Sequence, residues 1–176
     1  ARGLEIGKSL LEADKVAYAK EILAQGGDKL VFPVDCMITD FFDFDARKIG
    51  TLKEVSADAI PAGWQSLDIG SKSIEAFRAV LENARTVIWN GPMGVFEIAE
   101  TARGTYAIAE LLARVTAKGA TTVIGGRDTV SNVNKAGVAD KVSHVSTGGG
   151  ASLEFIEGKT LPGVAALTDK LPGMSI

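Results

Sequence analysis

Apolar positions recur along this chain in two rhythms, and in its second half the two alternate. Val16, Ala19, Ile22 and Leu23 stand at helical spacing inside SLLEADKVAYAKEILAQGG, and Gly26-Gly27 closes the run, which predicts a helix. KLVFPVDCMITD follows as an apolar, β-branched run bounded by charge, the pattern of a buried strand despite Pro33. The next stretch, FFDFDARKIGTLKEVSADAIPAGWQ, keeps neither rhythm for long. It reads as a loop with one short edge strand at Thr51–Val55, punctuated by Pro61 and Gly63.

From there the pattern is regular. SIEAFRAVLENA is predicted helical, with Ile74, Phe77, Val80 and Leu81 on one face. TVIWN runs into the turn GPMG and then the helix TARGTYAIAELLARVTAKG. TTVIGGRD is a strand entering a glycine turn, with a short helix ending near Gly137. SHVSTGGGAS is a third strand and turn, continued by the helix SLEFIEG. Strand, glycine turn and helix in threefold succession predict parallel βα units and an α/β fold. No repeat, linker or low-complexity tract interrupts the 176 residues, which read as a single domain.

Composition narrows the function classes. An apolar fraction of 46% suits a packed globular chain. The net charge of −3, with scattered lysines and arginines, argues against nucleic acid or a membrane surface as partner. Cys36, the single cysteine, lies in an apolar run and reads as a buried, reduced thiol. His144, the single histidine, lies in the strand SHVS just before a glycine turn and reads as structural. Trp89 reads as packing, and TDFFDFDA as a loop with an aromatic anchor or a partner surface.

In a parallel sheet the three βα turns lie at one edge, where glycines admit a ligand to the backbone and helix N-termini face it. A nucleotide phosphate suits such a crevice; the competing reading of each glycine pair is a tight turn and nothing more. Asp128 can be a helix N-cap or a Mg2+ contact, since Mg2+ takes a carboxylate together with phosphates and water.

The segments EIGKSLLEADK, FPVD, IPAGW with LDIG, WNGPMGVFE and DKVSHVSTGGGASLEFIEGKTLPGVAAL together resemble the C-terminal, nucleotide-binding domain of phosphoglycerate kinase, from Gly3 to about Leu167. The resemblance implies a doubly wound, Rossmann-like parallel sheet and phosphoryl transfer between 1,3-bisphosphoglycerate and Mg-ADP, giving 3-phosphoglycerate and Mg-ATP. It puts Asn90 on the nucleotide phosphates and Pro92, Gly94, Val95 and Phe96 along the base and ribose. Leu67 would lie against the adenine and Glu97 on the ribose hydroxyls. Gly125 and Gly126 would form the phosphate turn, with Thr129 on a phosphate oxygen and Asp128 on Mg2+. Gly148, Gly149 and Gly150 would present a helix N-terminus to the phosphoryl group in flight. A cytoplasmic protein is implied, or an organellar one where a targeting segment precedes this sequence.

Three departures from the family pattern matter. Arg127 stands where the family's GGGD has its third glycine, and Ser66 where GWMGLD has a glycine. The resemblance also begins late, which implies that the phosphoglycerate-binding domain and the first two strands of this domain lie outside residues 1–176. The sheet is then incomplete. In the order 3-2-1-4-5-6 the KLVFPVDCMI strand would face TVIWN across a gap two strands wide, to be filled by a missing segment or partner chain. Phosphoglycerates would be bound only with the further domain. Arg127 is expected to weaken nucleotide binding, chiefly because its side chain would fill the space where backbone approaches the phosphate, with backbone strain added if its φ is positive. A guanidinium could instead serve as a phosphate ligand. A working kinase, a catalytically degenerate accessory subunit and a nucleotide-binding regulatory module are the three functions in contention.

Overall fold

The computed structural model of the chain describes residues 1–146 and 148–167. The first helix, α1 (Val16–Gly26), is shorter than its apolar run, because Leu10 and Leu11 precede it and stand exposed. None of its residues is buried. Val16, Ala19 and Leu23 on its apolar face are half-buried, and Ala19, Ile22 and Leu23 share a cavity with Leu4, Ile6, Leu30 and Phe32.

An antiparallel unit follows. Strand β1 (Asp35–Thr39) is flanked by β4 (Leu52–Ser56) and β5 (Gln65–Ile69), and a small hairpin, β2 (Phe42–Asp43) with β3 (Lys48–Ile49), projects beyond it. This corrects the expected strand order. KLVFPVDCMI does not enter the parallel sheet, and its ladder starts only at Asp35, where β4 and β5 supply backbone partners on both sides. Before that point Pro33 has no N–H to give, and Val31 and Val34 are half exposed. The edge strand expected at Thr51–Val55 is β4, displaced by one residue. Cys36, Ile38 and Ile60 form a small core under this sheet, with Val55 and Trp64 packed on it. Burial pushes the Cys36 thiol above its ordinary range, as suits a reduced packing residue.

Helix α2 (Ser71–Leu81) begins directly after β5. Its own Gly70 offers no side-chain cap, and Asp35 of β1 supplies one across the fold. The Asp35 carboxylate accepts from Lys72 N–H at 2.9 Å and from Ser73 N–H at 2.7 Å. Gly70 is required there, because a Cβ would collide with that carboxylate.

The parallel sheet has β7 (Thr121–Gly125) at its centre, between β6 (Thr86–Asn90) and β8 (His144–Val145). Helices α3 (Arg103–Ala117), α4 (Arg127–Lys135) and α5 (Gly149–Ile156) follow the three strands in turn, and α6 (Pro162–Ala165) ends the described chain. This is the α/β, parallel arrangement that the sequence pattern predicts, in keeping with an incomplete Rossmann-like fold. The main core joins Val87 and Trp89 of β6, Ile124 of β7, Ile108, Leu111, Leu112 and Val115 of α3, and Val133 of α4. Trp89 packs as expected. His144 is exposed on its strand, so burial does not explain it.

Candidate nucleotide site

Strand register sets the site. Asn90 and Gly125 stand opposite one another at the carboxyl ends of β6 and β7, and Ser146 N–H reaches Ile124 C=O at 2.7 Å. The three glycine turns therefore open side by side. Gly126 carries the left-handed backbone, φ +85°, and a Cβ there would strike Oδ1 of Asn90. Only glycine allows these two turns to touch. Arg127 does not have the positive φ on which its expected strain depended; it is the first residue of α4 and exposed.

The segment 91–98, between β6 and the 3-10 turn before α3, is held at four points. Gly91 N–H donates to the buried Thr129 hydroxyl at 2.7 Å, and Met93 N–H to the buried Thr105 hydroxyl at 3.0 Å. Val95 N–H donates to Leu67 C=O at 2.7 Å, and Thr101 Oγ1 returns a bond to Val95 C=O at 2.6 Å. Leu67 can accept because β5 carries a bulge there: Met37 pairs with Asp68 and Ile38 with Ser66, leaving Leu67 without a partner on β1. A loop fastened in this way loses little entropy when a ligand settles on it.

Leu67, Pro92, Gly94 and Val95 line one cavity of about 400 Å³ together with Ser66, Cys36 and Asp68. Phe96 and Glu97 lie outside its wall and are half-buried. Lys135 of α4 stands 5.5 Å from the Phe96 ring centroid, which ties that end of the segment to α4.

At the head of α4, Asp128 is exposed, and among the described residues no ion pair occupies its carboxylate. Its backbone C=O accepts from Asn132 Nδ2 at 2.7 Å. It does not act as N-cap, since that position is Gly126. Thr129 is turned inward to Gly91, so its Oγ1 is already engaged before any phosphate arrives. Gly148 is the N-cap of α5, and Gly149 and Gly150 are its first residues. Ser152 Oγ bonds Gly148 C=O at 3.1 Å and lies 2.9 Å from Ser146 Oγ, bracing that turn.

Two contributors escape the sequence pattern. Asp68 is 3% exposed and accepts Ile69 N–H on Oδ1 at 2.8 Å and Gly104 N–H on Oδ2 at 2.7 Å. Burial raises its pKa to about 6, against the pull of those two bonds and of Arg103. Thr105 is the other. The sole signal for either was a polar residue inside an otherwise apolar stripe.

The family profile described as phosphoglycerate kinase matches residues 1–159. The chain belongs to the phosphoglycerate kinase family. It is 52% identical over 170 residues to phosphoglycerate kinase of Leuconostoc mesenteroides, covering 97% of this chain and 41% of that one. To the Latilactobacillus sakei enzyme it is 54% identical, covering 97% and 40%. Phosphoglycerate kinase from Coxiella burnetii superposes with a TM-score of 0.82 at 34% identity, over 93% of this chain and 40% of that one. The Pyrococcus horikoshii enzyme gives 0.72 at 34% identity, over 87% and 36%. The chain thus spans about two fifths of the length of the relatives it matches. Among the described residues no helix is long and apolar enough to cross a membrane.

Proposed function

We propose that this chain is the C-terminal, nucleotide-binding part of a phosphoglycerate kinase. It takes Mg-ADP or Mg-ATP across the carboxyl edge of its parallel sheet, for phosphoryl transfer between 1,3-bisphosphoglycerate and ADP in glycolysis. The observation that carries this reading is the fourfold fastening of segment 91–98 over Leu67, beside the N-termini of α4 and α5. Base and ribose lie along Leu67, Pro92, Gly94, Val95 and Phe96, with Glu97 accepting from the ribose hydroxyls. Asn90, Gly125, Gly126 and Thr129 take the phosphates.

An exposed carboxylate beside a helix N-terminus fits Mg2+, which leans on nucleotide oxygens and water for its remaining ligands. Asp128 would hold it, and the ion supplies neutralisation of phosphate charge when bound. Amide N–H groups at Gly148, Gly149 and Gly150 orient and stabilise the charge on the group in transfer, a task of positioning and electrostatics rather than covalent chemistry. The phosphoglycerates themselves are bound only together with a further domain, in a cytoplasmic protein.

The test is calorimetric titration of the chain with Mg-ADP and with ADP in excess chelator. Asp128→Ala is expected to weaken Mg-ADP by about tenfold, the worth of one charge-assisted contact, and to leave metal-free ADP unchanged. A wild-type chain that binds neither form would sink the reading and favour a non-catalytic accessory role.

A further inference from the structure

The buried carboxyl of Asp68 does more than satisfy two amides. It lies where three elements meet: β5, which carries it; α3, whose Gly104 N–H it accepts at 2.7 Å; and segment 91–98. Gly94 is held so close that a Cβ would collide with Asp68 Oδ1 and would stand 2.6 Å from Leu67 C=O. A Cβ at Gly104 would strike the same oxygen. Two glycines on separate elements are thus shaped around one carboxyl group, which also forms part of the wall of the cavity with Leu67, Pro92 and Val95.

We propose that Asp68 is a positioning residue of the nucleotide pocket, the seat that sets segment 91–98 over Leu67 and joins it to the head of α3. This rests on the nucleotide reading only for the purpose the seat serves. Lifting the segment hydrates the carboxyl group, so its closed position is coupled to the proton. Seated, the group titrates near pH 6; hydrated, it returns toward the ordinary carboxylate value near 3.8. The closed form binds more protons between these values, so closure is most favoured below pH 4 and weakens as pH rises through 6. Two pH units allow up to about a hundredfold change in the opening equilibrium.

Charged and titratable groups on the surrounding elements are few. Arg103 on α3 acts on Asp68 and favours its ionised form. Asp35 of β1 is committed to the start of α2. The Cys36 thiol is held protonated by burial, and Glu97 is the one charge within the segment.

Amide hydrogen exchange on the chain, corrected for intrinsic rates, tests this without any nucleotide. Protection of the Val95 and Met93 amides is expected to fall at least tenfold from pH 4 to pH 7, with Ile124 in β7 unaffected. In Asp68→Asn the dependence should vanish. Arg103→Gln, an exposed change that leaves the core untouched, should move the fall to higher pH and carries the test if the asparagine variant does not fold. Protection independent of pH in the wild type, an unchanged pH dependence in Asp68→Asn, or a fall that stays at the same pH in Arg103→Gln, overturns the proposal. Mg-ADP titration of the same samples separates the two ideas. A pH-dependent seat in a chain that binds no nucleotide would leave Asp68 its role and remove the pocket's.

Discussion

At residue 127 a long cation sits beside the turn proposed to take phosphate, and one backbone angle decides whether it is strained there. The left-handed position belongs to Gly126, and Arg127 begins α4 in ordinary helical geometry. The side chain is exposed, and among the described residues it makes no ion pair with Asp128. Backbone strain therefore falls away, and bulk at the turn is left opposed to charge; we expect charge to prevail, since a guanidinium in the first turn of a helix adds to the attraction its free amides would exert on phosphate. Arg127→Gly is expected to weaken Mg-ADP binding about tenfold and to leave adenosine binding unchanged, with the ADP difference shrinking in high salt. Tighter ADP binding by the glycine variant would show that bulk, and not charge, decides at this position.

Among the elements, α2 depends most on a residue distant in sequence. Burial would by itself raise the Asp35 pKa, but the Ser73 hydroxyl and the Lys72 and Ser73 amides outweigh burial and hold the carboxyl below its usual range. A depressed folded value means that stability is fully present above the unfolded pKa near 3.9 and is lost as pH falls through the folded value. Acid titration of unfolding should show this loss below pH 4, and Asp35→Asn should cost about 1–3 kcal/mol at neutral pH while flattening it. A variant as stable as the wild type at pH 7 would show that the cap is dispensable. The same contact explains what the sequence could and could not convey. Periodicity exposed α2, α3 and the three βα turns, because each has its apolar stripe or glycine in place. It could not reveal that DCMIT pairs with two antiparallel neighbours, since a buried strand reads alike in either kind of sheet. Nor could it reveal β5: QSLDI alternates weakly and carries its bulge at Leu67, the one residue whose free carbonyl the site needs. Motif likeness, by contrast, brought Leu67, Asn90 and Asp128 to notice without any of the geometry that joins them.

For the whole molecule, the unfilled side of the parallel sheet is the feature with the largest consequence. Among the described residues β6 pairs with β7 alone, leaving its other edge without a strand. Beside that edge runs a groove of about 520 Å³ whose apolar walls come from Val31, Phe77, Val80, Leu81, Ile88 and Met93. Val31, Val80 and Ile88 are each about half exposed, at 47%, 51% and 48%. Unpaired N–H and C=O groups next to apolar side chains form a template for another strand. The groove lies between the Val31 end of the chain and Ile88 of β6, where the sequence led us to expect strands to be wanting, although Val31 itself belongs to no ladder. We expect a further β-segment to pair with β6 and bury these side chains. Without it, the purified chain should associate with itself as concentration rises in sedimentation velocity, and should bind a dye specific for exposed apolar surface. Ile88→Lys places a charge in the groove without disturbing the Val87 and Trp89 face and should suppress both signals. A monodisperse wild-type monomer that unfolds in one cooperative step would mean that the sheet is complete as it stands.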